Sequence, residues 1–271
     1  MTERLTGAVA LVTGAARADG IGQGIVRALL ADGASLMFSD IEEASGWDTA
    51  QTLAAEFGND RVRFMRQDVT SPEDWQAALQ NILDSFGRLD ILVNNAGVSL
   101  PGSIETTSLE ELRRGMAVNF DSQFLGIKTC APTLARFAPD RSGGAAIVNN
   151  SSMAAYLVDP SSMPYHVSKA AVRMLTMCAA REFGPRKVRV NSVHYGPTLT
   201  APMQRALERY VEGGQYSSVD VALAGIEALS PLGITGTIAD AGALVAFLVS
   251  DEARFITGAA YWQDGGCFMQ Y

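Results

Sequence analysis

Along the chain, short apolar runs rich in β-branched residues alternate with longer stretches whose apolar positions recur every three or four residues. The short runs predict strands at Ala8–Val12, Ser35–Ser39, Val62–Met65, Asp90–Val93, Ala145–Asn149, Val188–Val193 and Ala259–Gln263. The longer stretches predict helices at Ile21–Asp32, Ala44–Phe57, Pro72–Phe86, Leu109–Phe137, Ala170–Phe183 and Ile238–Leu248. Within one of these, Ile82, Leu83 and Phe86 keep helical spacing, and Pro72 follows Ser71 as a first-turn residue. Such alternation implies βαβ units, hence a doubly wound parallel sheet with helices on both faces. No linker-like tract or repeat interrupts it, so the expectation is one α/β domain over 1–271.

Composition narrows the function classes. With 48% hydrophobic and 18% charged residues in 271, the chain can bury a large core and is not disordered. No apolar run approaches the roughly 20 residues of a membrane span. The first strand-like run begins too early to leave space for a secretory leader, which predicts a soluble, cytoplasmic protein. The net charge of −8, without a basic stripe, argues against nucleic acid as a partner. Cys130, Cys178 and Cys267 are scattered among apolar neighbours and read as buried small hydrophobes. His166 and His194 have no cysteine or paired carboxylate nearby in sequence, so no metal site is expected.

The first strand runs into Thr13-Gly14-Ala15-Ala16-Arg17-Ala18-Asp19-Gly20-Ile21-Gly22. Glycines there let the backbone turn tightly and approach a pyrophosphate, whose charge the N–H groups of the next helix can stabilise. The following strand ends in Asp40, some 20 residues past Gly20. A carboxylate in that place can accept hydrogen bonds from the adenosine ribose hydroxyls and repel a 2′-phosphate, which favours NAD over NADP. Arg17 in the loop leaves NADP open, and Asp40 could instead cap the helix that follows.

Further along lie Asp68-Val69 after the third strand, Asn94-Asn95-Ala96-Gly97 after the fourth, Asn119 in the long helix and Ser152 after the fifth strand. Tyr165-His166-Val167-Ser168-Lys169 and a closing Asp264-Gly265-Gly266 complete the series. Seven tyrosines and three lysines would produce Tyr-x-x-x-Lys by chance only about 0.08 times in such a chain. In this order over nearly the whole length, the sequence resembles the short-chain dehydrogenase/reductase family. Two departures stand out: the glycine loop is two residues longer than that family's, and Tyr195-Gly196 replaces its Pro-Gly.

The resemblance implies a seven-stranded Rossmann fold and an NAD(P)-dependent alcohol dehydrogenase or ketone reductase. It implies catalytic roles for Asn119, Ser152, Tyr165 and Lys169. It further implies cofactor contacts from Gly14, Arg17, Gly20, Ile21, Gly22, Asp40, Asp68, Val69, Asn95, Ala96, Gly97, Tyr165, Lys169, Gly196, Thr198 and Thr200. Tyr165 and Lys169, four apart, share a helix face. A nearby ammonium and a positive nicotinamide ring should lower the phenol's pKa from near 10, so that Tyr165 takes or gives the substrate proton. Ser152 would hold the substrate oxygen, selected over Ser151 by its spacing to Tyr165. By resemblance Lys169 also binds the nicotinamide ribose, and Asn119 holds a water that links Lys169 to solvent.

Around this core, Met153, Tyr156, Tyr195 and Met203 are the candidate substrate residues. Tyr195 could stack on a ligand or fill space, and His194 could be a neutral packing residue or a second proton carrier. Ala201–Ser230 reads as a substrate-covering lid carrying Met203, Leu207, Tyr210, Tyr216, Val221 and Leu223, with a break at Gly213-Gly214. Packing of a surface helix pair explains the same residues. The apolar lining favours a cyclic, aromatic or steroid-like secondary alcohol. The alternatives are an NADPH-dependent 3-oxoacyl-thioester reductase and a non-catalytic binding protein. The resemblance, the long helices around Asn119 and Tyr165 and the apolar tail Cys267–Tyr271 predict a homotetramer.

Overall fold

A computed structural model describes residues 3–270. Seven parallel strands form one sheet: β1 Val9–Thr13, β2 Ser35–Asp40, β3 Val62–Arg66, β4 Ile91–Asn94, β5 Ala145–Asn150, β6 Val188–Tyr195 and β7 Ala260–Gln263. Their order is β3-β2-β1-β4-β5-β6-β7. Side chains of successive strand residues point to opposite faces, so each strand feeds two cores. Ala10, Val12, Leu36, Phe38, Ile91 and Val93 pack on one side with helices α1 (Ile21–Ala31), α2 (Glu43–Phe57) and α9 (Ile238–Val249). Val9, Leu11, Met37, Leu92, Ile147 and Val190 pack on the other with α3 (Pro72–Phe86), α5 (Ser122–Phe137) and α6 (Met163–Phe183). Burial on both faces is why the inner strands read as continuous apolar runs.

Strand order reverses between β1 and β4, and in sheets of this kind ligands lie outside the carboxyl ends of the strands at that reversal. The predicted strand edges stand within a residue or two, with β6 running on to Tyr195. Two helix boundaries differ more. Leu109–Phe137 is not one helix: α4 (Leu109–Met116) and α5 are joined by a π-helical turn, Ala117–Asp121. The wider turn aims the buried Asn119 away from the helix ladder, toward the chain after β4. α6 begins at Met163 rather than Ala170, because Pro164 in its first turn is tolerated there. The lid segment holds two helices, α7 (Ala201–Glu212) and α8 (Val219–Glu227), parted at Gly213-Gly214 as the sequence indicates. Among the described residues no helix is long and apolar enough to cross a membrane.

Candidate active site

The glycine loop leaves β1 with Gly14 at φ +68°, a conformation that favours glycine. A Cβ there would stand 2.6 Å from the Ala96 backbone, and one on Gly22 would stand 2.6 Å from Asn95 Nδ2. The loop is therefore packed against Asn95–Gly97 in a cradle only glycines permit. Asn95 Nδ2 donates to Thr13 O at 2.9 Å and Gly14 O at 2.7 Å, and Gln23 Nε2 donates to Ala15 O at 2.9 Å. α1 opens at Gly20 without a side-chain cap, so its first-turn N–H groups suit an anion.

Asp40 is shared between two neighbours. Its Oδ2 accepts from Ala16 N at 3.0 Å and its Oδ1 from Glu42 N at 3.1 Å. It bonds the residue ahead of α2 but caps no N–H of that helix, and a carboxylate has lone pairs left for ribose hydroxyls. Arg17, in the longer part of the loop, lies 3.6 Å from Asp19 and 3.7 Å from Glu42. Two carboxylates already attend its charge. The loop after β3 is held by Asp68, which accepts from Thr70 N and Oγ1 at 2.9 and 2.7 Å, so its carboxyl sits below the usual range. Trp75 Nε1 donates to Val69 O at 2.8 Å and fixes the same turn.

Ser152, just past the end of β5, meets Tyr165 and Lys169 from the first turns of α6. Lys169 is buried, and its Nζ donates to Asn150 O at 3.0 Å. Burial lowers its pKa to about 8, because few groups solvate the ammonium. The Nζ stands 5.7 Å from the Tyr165 ring centre. The lowering of the Tyr165 pKa expected from the ammonium together with a positive nicotinamide ring concerns the loaded site, and the chain's own surroundings act in the other direction. Burial raises the pKa, and the Ser152 hydroxyl offsets only part of that.

Asn119 is fully buried. Its Oδ1 accepts from Val98 N at 2.8 Å, while Nδ2 donates to Val98 O at 2.9 Å and Ser168 Oγ at 3.0 Å. Its backbone carbonyl accepts from Gln123 Nε2 at 3.1 Å. His194 resolves into the packing alternative. Nδ1 donates to Ser152 O at 3.0 Å and Nε2 accepts from Ser192 Oγ at 2.9 Å, a tautomer set by the carbonyl. Burial depresses its pKa to about 4, and the Arg173 and Lys169 cations act in the same sense. A neutral ring so held orients the backbone at Ser152.

The remaining candidates divide. Thr198 Oγ1 donates to Gly196 O at 3.1 Å, and Thr200 caps α7 by accepting from Met203 N at 3.4 Å. A Cβ on Gly196 would lie 2.6 Å from Asp264 Cα, so the closing glycine-rich turn packs directly on this loop. Leu199, Thr200, Gln204 and Arg205 line, with Asp19, a cleft of about 510 Å³ between the glycine loop and α7. Met153 and Met203 are half-buried, and neither lines this cleft. Tyr195 lies in the core on the α1/α9 face with its hydroxyl unpartnered, so it fills space there. Tyr156 packs against Trp262 at 4.4 Å, His194 at 5.1 Å and Phe268 at 5.6 Å. In the tail, Cys267 is buried and Phe268 stacks on Trp262 at 4.0 Å within the same chain, while Met269 is exposed. Tyr271, the end of that predicted interface, lies outside the described residues.

Three polar residues at this centre escaped the sequence reading: Gln123, Asn150 and Ser168. Gln123 stands four residues past Asn119 and so on its helix face, a signal that was available. Asn150 is visible only as one of two polar residues ending an otherwise apolar strand.

A family model described as enoyl-(acyl carrier protein) reductase matches residues 14–267. The trans-4-hydroxycyclohexanecarboxylate dehydrogenase of Sinomonas cyclohexanicum is 36% identical over 98% of this chain and 95% of its own length. The 3-beta-hydroxysteroid dehydrogenase of Comamonas testosteroni is 38% identical, covering 97% of each chain. Among solved structures, that of gox2181 superposes with a TM-score of 0.86 over 99% of both chains at 26% identity. With fold, sheet order and full-length relatives in agreement, the chain belongs to the short-chain dehydrogenase/reductase family, as one of its alcohol dehydrogenases.

Proposed function

We propose that the protein oxidises a cyclic secondary alcohol to its ketone with NAD, or runs the reverse reaction, using Tyr165 as the proton carrier. The convergence of buried Ser152 and Lys169 with half-buried Tyr165 carries this reading. The dinucleotide fits the chain: the Gly14 and Gly22 cradle has no space for side chains, and α1 offers uncapped N–H groups. When bound, the nicotinamide supplies hydride exchange with the substrate carbon. Tyr165 takes the hydroxyl proton during oxidation, and Ser152 hydrogen-bonds the same oxygen as its charge changes. Lys169 provides positive charge beside Tyr165 and donors for a ribose, while Gly14, Gly20, Ile21 and Gly22 face the pyrophosphate. Asp40 receives the adenosine ribose, Asp68 and Val69 the adenine, and Asn95, Ala96, Gly97, Gly196, Thr198 and Thr200 the nicotinamide half.

Asp40 at the loop supports NAD, and the pairing of Arg17 with Asp19 and Glu42 leaves that arginine poorly placed to favour a 2′-phosphate. The two named relatives act on ring alcohols, which supports a cyclic substrate under the α7–α8 segment. Val167, Met174 and Met177 form an exposed apolar stripe along α6, and Phe124 on α5 is exposed too, supporting assembly as a homo-oligomer. The second reading remains an NADPH-dependent 3-oxoacyl-thioester reductase, and the family model's description, which names reduction of another acyl thioester, is what keeps it in view. A panel of hydroxycyclohexanes, hydroxysteroids and 3-oxoacyl thioesters, read by reduced-cofactor absorbance with NAD and NADP in parallel, tests both. Turnover of ring alcohols with NAD is expected; preference for thioester with NADPH would replace the first reading by the second.

A further inference from the structure

After Ser152 the chain makes one short helical turn, Met153–Ala155, and then places Tyr156 among groups drawn from distant parts of the fold. The Tyr156 ring lies 4.4 Å from Trp262 on β7, 5.1 Å from His194 on β6 and 5.6 Å from Phe268. The Arg173 guanidinium of α6 sits over it at 4.7 Å. Phe268 in turn stacks on Trp262 at 4.0 Å with the planes 18° apart, and Trp262 reaches His194 at 5.5 Å. His194 is the ring whose Nδ1 holds Ser152 O at 3.0 Å. Rings in contact therefore run from Phe268 to the Ser152 backbone by way of Tyr156 and by way of Trp262. Phe268 is itself pinned: Asp264 Oδ2 accepts from Phe268 N at 2.8 Å, and Oδ1 accepts from Gly266 N at 3.0 Å. Gly265 and Gly266, at φ +62° and +88°, form the turn, and Ser230 Oγ at the end of the lid segment donates to Gly265 O at 2.9 Å.

We propose that Phe268 is a positioning residue for Ser152: stacked on Trp262 and edge-on to Tyr156, it closes a ring cluster that fixes the serine both through its carbonyl and through the turn that follows it. The proposal rests on the reading of Ser152 as the hydrogen-bond partner of the substrate oxygen. Such a hydroxyl must be held within about 0.5 Å of its productive place. The sheet does not hold it there, because the β5–β6 ladder reaches only to Ser151 N, which donates to Val193 O at 2.8 Å. Within the turn, Ser152 Oγ accepts from Ala154 N at 3.2 Å, a bond that moves with the turn itself. Beyond Ser151 the rings set the path of the chain, since stacked and edge-to-face contacts orient their partners as well as bury them. Without the Phe268 ring, Tyr156 and Trp262 can shift into the vacated space, and the Ser152 hydroxyl shifts with them. Tyr165 and Lys169 stand on α6 and keep their places.

A double-mutant cycle separates positioning from packing. With cyclohexanol and NAD, Phe268→Ala should lower kcat about tenfold and leave the KM for NAD within about twofold, as a sub-ångström misplacement would. Phe268→Tyr keeps the stacked ring and should restore kcat. In a Ser152→Ala background, Phe268→Ala should change kcat by less than about twofold, because the group it acts through is gone. The second readout needs no substrate. The chain has two histidines, and His194→Gln assigns the His194 ring signal in an NMR titration. Burial holds that ring at about 4, and the Arg173 and Lys169 cations act in the same sense. Opening the cluster to water should raise the midpoint by about one unit in Phe268→Ala and leave it in place in Phe268→Tyr. Equal loss of kcat in both backgrounds overturns the proposal, and so does an unchanged kcat in Phe268→Ala. Failure of both Phe268→Ala and Phe268→Leu to fold overturns it too, by assigning the ring to stability. Absence of wild-type turnover counts against the substrate reading, and the His194 midpoint then decides: moved, it upholds the clamp; unmoved, it overturns it.

Discussion

The two ends of the sheet treat buried charge differently. Near the start of β6, Arg189 donates to three carbonyls, Gly143 O at 2.9 Å, Leu248 O at 2.7 Å and Ser250 O at 3.1 Å. Close by, buried Asp90 accepts from Val9 N at 2.9 Å and from both Arg88 Nε and Nη2 at 2.8 Å. At the carboxyl ends, Lys169 has one protein acceptor, and Gln123 Oε1 and Asn150 Oδ1 have none. Burial lowers the pKa of both cations, Arg189 to about 10 and Lys169 to about 8. Saturated donors make a cation a fastener for the fold. Unsaturated ones leave valence for a ligand, at a cost the rest of the structure offsets.

That contrast breaks most sharply at Tyr165. Tyr165→Phe keeps the ring, so thermal stability and NAD binding should survive while kcat falls about 10²–10⁴-fold. Retention of more than about a tenth of wild-type turnover would move the proton carrier elsewhere. Arg189→Met should do the reverse. Three carbonyls left without a donor cost about 3 kcal/mol in urea unfolding, with kcat of the folded fraction near wild type. Equal loss of activity and stability would erase the distinction between the two ends.

His194 sharpens the comparison through pH. Its pKa is about 4 folded against an ordinary 6.5, so between those values the unfolded chain binds more protons. The stability it contributes is complete above about pH 6.5 and is lost as pH falls through about 4, amounting to about 3 kcal/mol. His194→Gln should flatten that acid limb of the stability curve, and an unchanged limb would place the transition in another group. The smallest effect belongs to the outer cofactor cleft. Asp40→Ala should reduce the NAD-to-NADP ratio of kcat/KM about tenfold, since it removes one partly solvated carboxylate. An unaltered ratio would shift discrimination to Asp19 and Glu42 beside Arg17.

Much of this was legible in the chain itself. Period-two and period-3.6 patterns are local, and the sheet they imply buries both faces, so the strands could be placed within a residue or two and most helices with them, the start of α6 and the break between α4 and α5 excepted. The glycine loop, Asp40, Ser152, Tyr165 and Lys169 declare themselves because backbone approach, ribose binding and proton transfer each demand a residue type at a set spacing. The π-helical turn at Ala117–Asp121 did not, since it depends on Asn119 finding Val98 and Ser168 across 21 and 49 residues. Nor did the balance at Tyr165, where desolvation outweighs the hydrogen bond with Ser152. Tertiary structure alone decided that Tyr195 enters the core, that His194 stays neutral behind Ser152, and that Gln123 meets the carbonyl anchoring Lys169. Periodicity and spacing carry information along the chain, but desolvation and hydrogen-bond satisfaction depend on which distant groups the fold brings within 3 Å, so they exist only once it has closed.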